Sequence, residues 1–244
     1  MPLPSEAKLF ALVPAAGTGS RMGAGLPKQY LTLQGQTLAE HTMGRLLAYA
    51  RIQKVVVAVA PGDQWWPRLK VSGHRRVVST DGGDTRAQSV LNGLACLVAE
   101  AGAAETDWVM VHDMARPCVR LSDLDELLRE TDDQGALLAL PVADTIKQAG
   151  TDARIEQTLV RDHIWRALTP QLFPVAALRA ALQSALDQGL PVTDEASAME
   201  AAGYRPRLVA GRTDNIKITH PEDLALARFY LARQEEEGLQ WQSV

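Results

Sequence analysis

Positions 14 to 28 read Pro-Ala-Ala-Gly-Thr-Gly-Ser-Arg-Met-Gly-Ala-Gly-Leu-Pro-Lys, a run of small residues carrying two cations, Arg21 and Lys28. Glycine and alanine let backbone N–H groups approach a phosphate with no bulky side chain in the way. Lys28 is one of six lysines in the chain and follows Pro27, whose ring restricts the backbone on both sides. This is chemistry suited to polyphosphate. It does not fit two familiar patterns. The dinucleotide fingerprint G-x-G-x-x-G, begun at Gly17, needs a third glycine where Met22 stands, and the Lys-Ser/Thr pair that closes a Walker A loop is missing.

The elements that must position this loop are short apolar runs. Leu9–Val13, Lys54–Ala60, Trp108–Val111 and Ala136–Leu140 read as strands covered on both faces. Helical patterns separate them, as over residues 86–101, where Val90, Leu91, Leu94, Leu97 and Val98 form one apolar stripe. Alternation of this kind predicts an α/β fold: one Rossmann-like, mostly parallel sheet with helices on both faces. One segment departs from it. Thr145–Gln148 and Arg154–Val160 alternate as strands around Ala149-Gly-Thr-Asp152, a hairpin inserted into the parallel fold. With no repeat or linker, residues 1–244 read as one domain from which residues 144–161 protrude as an arm. A final helix is expected to begin near Thr219, with a Thr219/Glu222 capping box and Pro221 in its first turn.

Composition bounds the partners. There are 25 Lys and Arg against 29 Asp and Glu, a formal charge of -4, which argues against sequence-independent nucleic-acid binding. A locally positive cleft for a small anion remains compatible with it. No stretch approaches a membrane span or the long apolar core of a signal peptide. Cys96 and Cys118 form no CxxC, and the histidines no metal-ligand spacing, so the expectation is a reduced, cytoplasmic protein.

The stretch Ala15-Ala-Gly-x-Gly-x-Arg-Met22 with Pro27-Lys-Gln-Tyr30 resembles the signature of nucleotidyltransferases, specifically of the 2-C-methyl-D-erythritol 4-phosphate cytidylyltransferase family. The resemblance continues through Asp81-Gly-Gly-Asp-Thr-Arg86 with Ser89, His112-Asp-Met-Ala-Arg-Pro117, Asp144-Thr145, Arg161 and Leu168-Thr-Pro-Gln171. It ends with Thr193-Asp-Glu-Ala-Ser197, Asp214-Asn-Ile-Lys-Ile-Thr219 and Pro221-Glu-Asp223.

The fold implied is of the nucleotide-diphospho-sugar transferase type. The reaction implied joins CTP to a sugar-alcohol phosphate and releases pyrophosphate. The difficulty of that reaction is charge, since two unit charges about 4 Å apart repel by about 4 kcal/mol at an effective dielectric near 20. By resemblance, CTP is bound by Pro14, Ala15, Ala16, Gly17, Gly19, Arg21, Lys28, Gly83, Asp84, Ser89 and Met114. The acceptor phosphate is bound by Asp113, Arg116, Thr145, Arg161, Thr169 and Lys217. Arg21, Lys28, Arg161 and Lys217 are the catalytic cations, and Arg161 acts in the partner subunit of an arm-exchanged homodimer. A divalent cation, Mg²⁺, is expected mainly on the CTP phosphates, with no dedicated protein metal site.

Some positions admit two readings. Asp84 can cap the following helix or contact the base. Arg161 by itself is an exposed strand residue. Asp194 and Glu195 read as the acidic start of a helix in preference to metal ligands. Met114 replaces a smaller residue common in the family, and it alters the CTP pocket only if its side chain points inward. The neighbouring functions are a ribitol 5-phosphate cytidylyltransferase, which shares the CTP half, and a non-catalytic nucleotide-binding module.

Overall fold

A computed structural model describes residues 6–17 and 26–239. Gly19 and Arg21 therefore lie outside the described residues. In chain order the elements are β1 (Leu9–Ala15), β2 (Thr32–Leu33), β3 (Gln36–Thr37), α1 (Leu38–Ala48), β4 (Ile52–Val59), β5 (Val77–Asp81) and α2 (Arg86–Ala99). They continue with β6 (Trp108–Val111), α3 (Leu121–Glu130), β7 (Ala136–Pro141), β8 (Ile146–Ala149), β9 (Ile155–Leu159) and β10 (Trp165–Pro174). The last are α4 (Val175–Asp187), α5 (Glu195–Ala201), β11 (Arg207–Ala210) and α6 (Asp223–Glu236).

Seven strands form one sheet in the order β11-β7-β10-β6-β1-β4-β5. Strand β1 pairs parallel with β4 and β6, β4 with β5, and β7 with β11, while β10 runs antiparallel between β6 and β7. The mostly parallel α/β sheet expected from the sequence is thus present. Period-two alternation along its strands feeds two cores. Leu9, Ala11 and Val13 of β1 pack with Val55, Val57 and Met110 on the side of α1 and α3. Phe10 and Leu12 pack with Val56, Val109 and Val111 on the side of α2, α4 and α5. The stripe of α2 seats Val90, Leu94 and Leu97 there, fully buried.

Strand β10 was not foreseen. Its two prolines, Pro170 and Pro174, argue locally against a strand, and its register with β7 shifts between Ala167 and Gln171. The hairpin is present as β8 and β9, pairing Ile146 with Leu159 and Gln148 with Gln157 as a two-stranded sheet of its own. It exposes Ile155 (65%), and Val160 just after it is 78% exposed.

Two expected caps differ. Thr85, not Asp84, caps α2, its side chain accepting from the Gln88 N–H at 3.1 Å. Helix α6 starts later than expected and without the Thr219/Glu222 box. There Asp223 Oδ2 accepts from the Thr219 N–H at 2.7 Å and the His220 N–H at 2.8 Å, leaving Pro221 ahead of the helix. Asp223 is the first helical residue and its carboxylate reaches back to these two N–H groups at once, while the N–H groups of Asp223, Leu224 and Ala225 bond the carbonyls of His220, Pro221 and Glu222.

Candidate active site

Strand β1 has β4 on one side and β6 on the other, so a crevice opens beyond its carboxyl end, the usual binding position in an open α/β sheet. A cleft of about 220 Å³ lies there. Pro14, Ala16 and Gly17 form its floor, Lys28 and Gln29 one wall, Gly83 to Arg86 with Ser89 another, and Asp113 to Ala115 with Lys217 the third.

Local packing explains the shape. Gln29 is buried and its amide donates to the carbonyls of Ala15 (2.9 Å) and Gly17 (3.2 Å), holding the end of β1. Lys28 Nζ donates to the Ile218 carbonyl at 2.8 Å, which ties the loop after β1 to a segment 190 residues away. On the facing wall Ser89 Oγ accepts from the Gly83 N–H at 3.0 Å and donates to the Thr85 carbonyl at 2.9 Å. A Cβ on Gly82 would come within 2.5 Å of the Ala16 side chain, so the loop after β5 can close on β1 only through glycine.

Asp113, the second residue past β6, is the electrostatic hub. Its Oδ1 pairs with Arg86 at 3.0 Å, and its Oδ2 with Lys217 at 2.9 Å and Arg116 at 3.4 Å. Burial pushes this carboxyl up, but Arg86, Lys217 and Arg116 reverse that and hold it well below the usual carboxylate range. Arg86 also meets Glu195 at 2.9 Å. Glu195 is 1% exposed, and its burial outweighs the pull of Arg86, so its carboxyl sits above the ordinary range.

Most of the sequence-derived nucleotide set meets in this cleft: Pro14, Ala16, Gly17, Lys28, Gly83, Asp84, Ser89 and Met114 all line it. Ala15 does not, because its side chain packs into the core. The Met114 side chain is also packed in that core, only 4% exposed, so it borders the cleft without filling it. Of the acceptor set, Asp113 and Lys217 line the cleft, while Arg116 and Thr169 are buried and outside its lining. Thr145 and Arg161 are exposed beside the hairpin and do not line the cleft of their own chain; Arg161 donates to the Ala143 carbonyl.

Sequence reasoning missed three contributors. Arg86 stood in a motif without a role, Gln29 likewise, and Glu195 was read only as a helix start. Asp194 does cap α5 through a box with Ser197, yet Glu195 turns inward to Arg86, a pairing across 109 residues that no local pattern announces.

A family model described as IspD, 2-C-methyl-D-erythritol 4-phosphate cytidylyltransferase, matches residues 9–233. The chain belongs to that family. Relatives within it include the 2-C-methyl-D-erythritol 4-phosphate cytidylyltransferase of Tolumonas auensis, 54% identical over 229 residues, covering 93% of this chain and 98% of the relative. That of Haemophilus influenzae is 52% identical over 227 residues, with 93% and 98% covered. A crystal structure of a 4-diphosphocytidyl-2C-methyl-D-erythritol synthase matches with a TM-score of 0.80 at 38% identity, over 93% of this chain and 100% of that one. The Francisella tularensis cytidylyltransferase structure matches with a TM-score of 0.80 at 35% identity, over 92% and 100%. With these members of the cytidylyltransferase family, then, the chain shares its fold over more than nine-tenths of its length.

Proposed function

We propose that the cleft performs the family's reaction on this chain's own residues: transfer of the cytidylyl group of CTP to 2-C-methyl-D-erythritol 4-phosphate, giving 4-diphosphocytidyl-2-C-methyl-D-erythritol and pyrophosphate. A phosphate oxygen of the acceptor bonds to the α-phosphorus of CTP, and the bond from that phosphorus to the bridging oxygen of the β-phosphate breaks. The acceptor's second phosphate pKa is about 6, so the nucleophile is already largely ionised at neutral pH and needs no side-chain base. What the protein supplies is cations and alignment. The observation that carries this reading is the meeting of Lys28 and Lys217 at one cleft, where Lys28 is held on the carbonyl of Ile218, the residue after Lys217.

In this reading Pro14, Ala16, Gly17 and Gly19 present backbone to the nucleotide, and Arg21 and Lys28 hold its phosphates. Gly83, Asp84 and Ser89 face the base and ribose. Asp113 and Lys217 receive the acceptor, and Lys217 passes from Asp113 to the incoming phosphate. Among the described residues no three His, Cys, Asp or Glu side chains cluster to hold a metal. Asp113 is already engaged by three cations, so a Mg²⁺ ion arriving with CTP would be held by the triphosphate and water in preference to this carboxylate. Bound there, the ion neutralises phosphate charge.

Residues 1–244 act as one domain, and the arm of residues 144–161 exchanges between the subunits of a homodimer, bringing the partner subunit's Thr145 and Arg161 to the acceptor. The exposed position of both residues, away from their own cleft, supports this. Both substrates are water-soluble, which suits a cytoplasmic enzyme, and among the described residues no helix is long and apolar enough to cross a membrane.

Mixing two inactive variants tests these roles. Lys28→Ala and Arg161→Ala should each lose turnover by orders of magnitude while keeping their fold by circular dichroism. Their heterodimer should regain pyrophosphate release, since one of its two sites then has both residues intact. Near-normal turnover of Lys28→Ala contradicts the catalytic assignment, and verified heterodimers without recovery contradict arm exchange.

A further inference from the structure

Four buried residues from three separate parts of the chain close a hydrogen-bonded ring behind Asp113. His112 Nε2 lies 3.1 Å from the Arg116 carbonyl, Arg116 Nη1 donates to the Asn215 carbonyl at 2.7 Å, and Asn215 Nδ2 donates to the Thr169 carbonyl at 2.8 Å. Thr169 Oγ1, 2.9 Å from His112 Nδ1, completes it. The side chains belong to β6's end, the loop after it, the segment before Lys217, and the register shift of β10, where a bulge re-aims a side chain. His112 is fully buried, and Asn215 (1%), Thr169 (4%) and Arg116 (7%) nearly so.

The proton positions in this ring follow from donor and acceptor inventory. A carbonyl only accepts, so His112 Nε2 carries the hydrogen that points at Arg116. Burial keeps the imidazole neutral, pushed down to about 4, with Asp113, Arg116 and Arg86 as the charged groups around it. In a neutral ring the other nitrogen is an acceptor, so the Thr169 hydroxyl donates to Nδ1. That leaves the Thr169 oxygen to receive the Asp113 N–H, 3.0 Å away. The chain of bonds therefore has one direction, from the Asp113 backbone through Thr169 to His112 and on to Arg116.

We propose that His112 is a positioning residue for the reaction: as a neutral Nε2–H imidazole it orients the Thr169 hydroxyl, and through it fixes the backbone of Asp113 while Asn215 fixes the segment carrying Lys217. Thr169 then serves the acceptor site through Asp113, since its hydroxyl proton and one lone pair are already committed within the protein. The inference rests on the proposed function for its kinetic consequence, but not for its geometry.

Two measurements test it separately. Imidazole ¹⁵N NMR of the wild-type enzyme, with His112 assigned by its loss in His112→Gln, should show the Nε2-protonated neutral tautomer with no titration between pH 5.5 and about 8. The Nδ1-protonated tautomer, or titration near the ordinary histidine value, overturns the proposal whatever the enzyme's substrate. In steady-state kinetics Thr169→Val should lower kcat by about a hundredfold, the cost of a small misplacement of reacting groups, with the CTP KM unchanged. Thr169→Ser should restore most of that loss, and His112→Gln/Thr169→Val should be no worse than the poorer single variant. A Thr169→Val effect confined to the acceptor KM, or additive effects in the double variant, marks Thr169 as a direct substrate contact and contradicts the positioning role. Absence of turnover by wild type with 2-C-methyl-D-erythritol 4-phosphate would count against the proposed function alone, because the tautomer is read without substrate.

Discussion

At the scale of single residues, the site is a problem of holding like charges together before any substrate arrives. Asp113 serves that purpose by gathering Arg86, Arg116 and Lys217, and Glu195 shares the load on Arg86. The sequence pointed to Asp113 and Lys217 through their motifs. It did not point to Glu195, because its usefulness comes from a fold that brings α5 to the start of α2. His112 adds a pH dependence whose sign is fixed by its burial. In the unfolded chain an imidazole binds a proton near 6.5, whereas in the folded protein it does so only near 4. Its contribution to stability is therefore present above 6.5 and is lost as the pH falls toward 4. The gap in urea midpoint between wild type and His112→Gln should narrow over that interval. A gap independent of pH would mean that the folded protein binds the proton as readily as the unfolded chain does.

Elements were legible where local pattern and tertiary role agree. Strands β1, β6 and β7, and the Val55–Val59 part of β4, are apolar runs because both their faces are covered, and α2 shows its stripe because only one face is. The hairpin of β8 and β9 was legible from alternation alone. Strand β10 was hidden by its prolines, the cap of α2 sits one residue beyond Asp84 at Thr85, and α6 begins only at Asp223, its N-cap Glu222 making no side-chain cap bond. Helix α2 also depends on a close approach that its stripe does not reveal. A Cβ on Gly93 would stand 2.1 Å from Leu12 Cδ1, and Leu12 is fully buried within the core. Gly93→Ala should therefore destabilise the protein by about 1–3 kcal/mol despite alanine's better helix propensity, as overpacking outweighs the gain. Chemical denaturation measures this. Equal or higher stability would show that α2 has room to move away from β1.

At the scale of the whole molecule, a chain with a net charge of -4 carries a cleft in which Lys28, Arg86 and Lys217 come together from three regions of the sequence. The global charge keeps nucleic acid unfavoured, while the local field suits two small polyanions. The crevice beyond β1 follows from strand order, so sheet topology decides where these cations meet. More of the nucleotide candidates than of the acceptor candidates line the cleft, the acceptor candidates dividing among cleft, buried ring and exposed hairpin. The most direct test is therefore pyrophosphate release by the purified wild-type enzyme with CTP and Mg²⁺, comparing two acceptors at equal concentration. Rapid turnover with 2-C-methyl-D-erythritol 4-phosphate and little with ribitol 5-phosphate is the predicted result; preference for ribitol 5-phosphate, or release with neither, would contradict it.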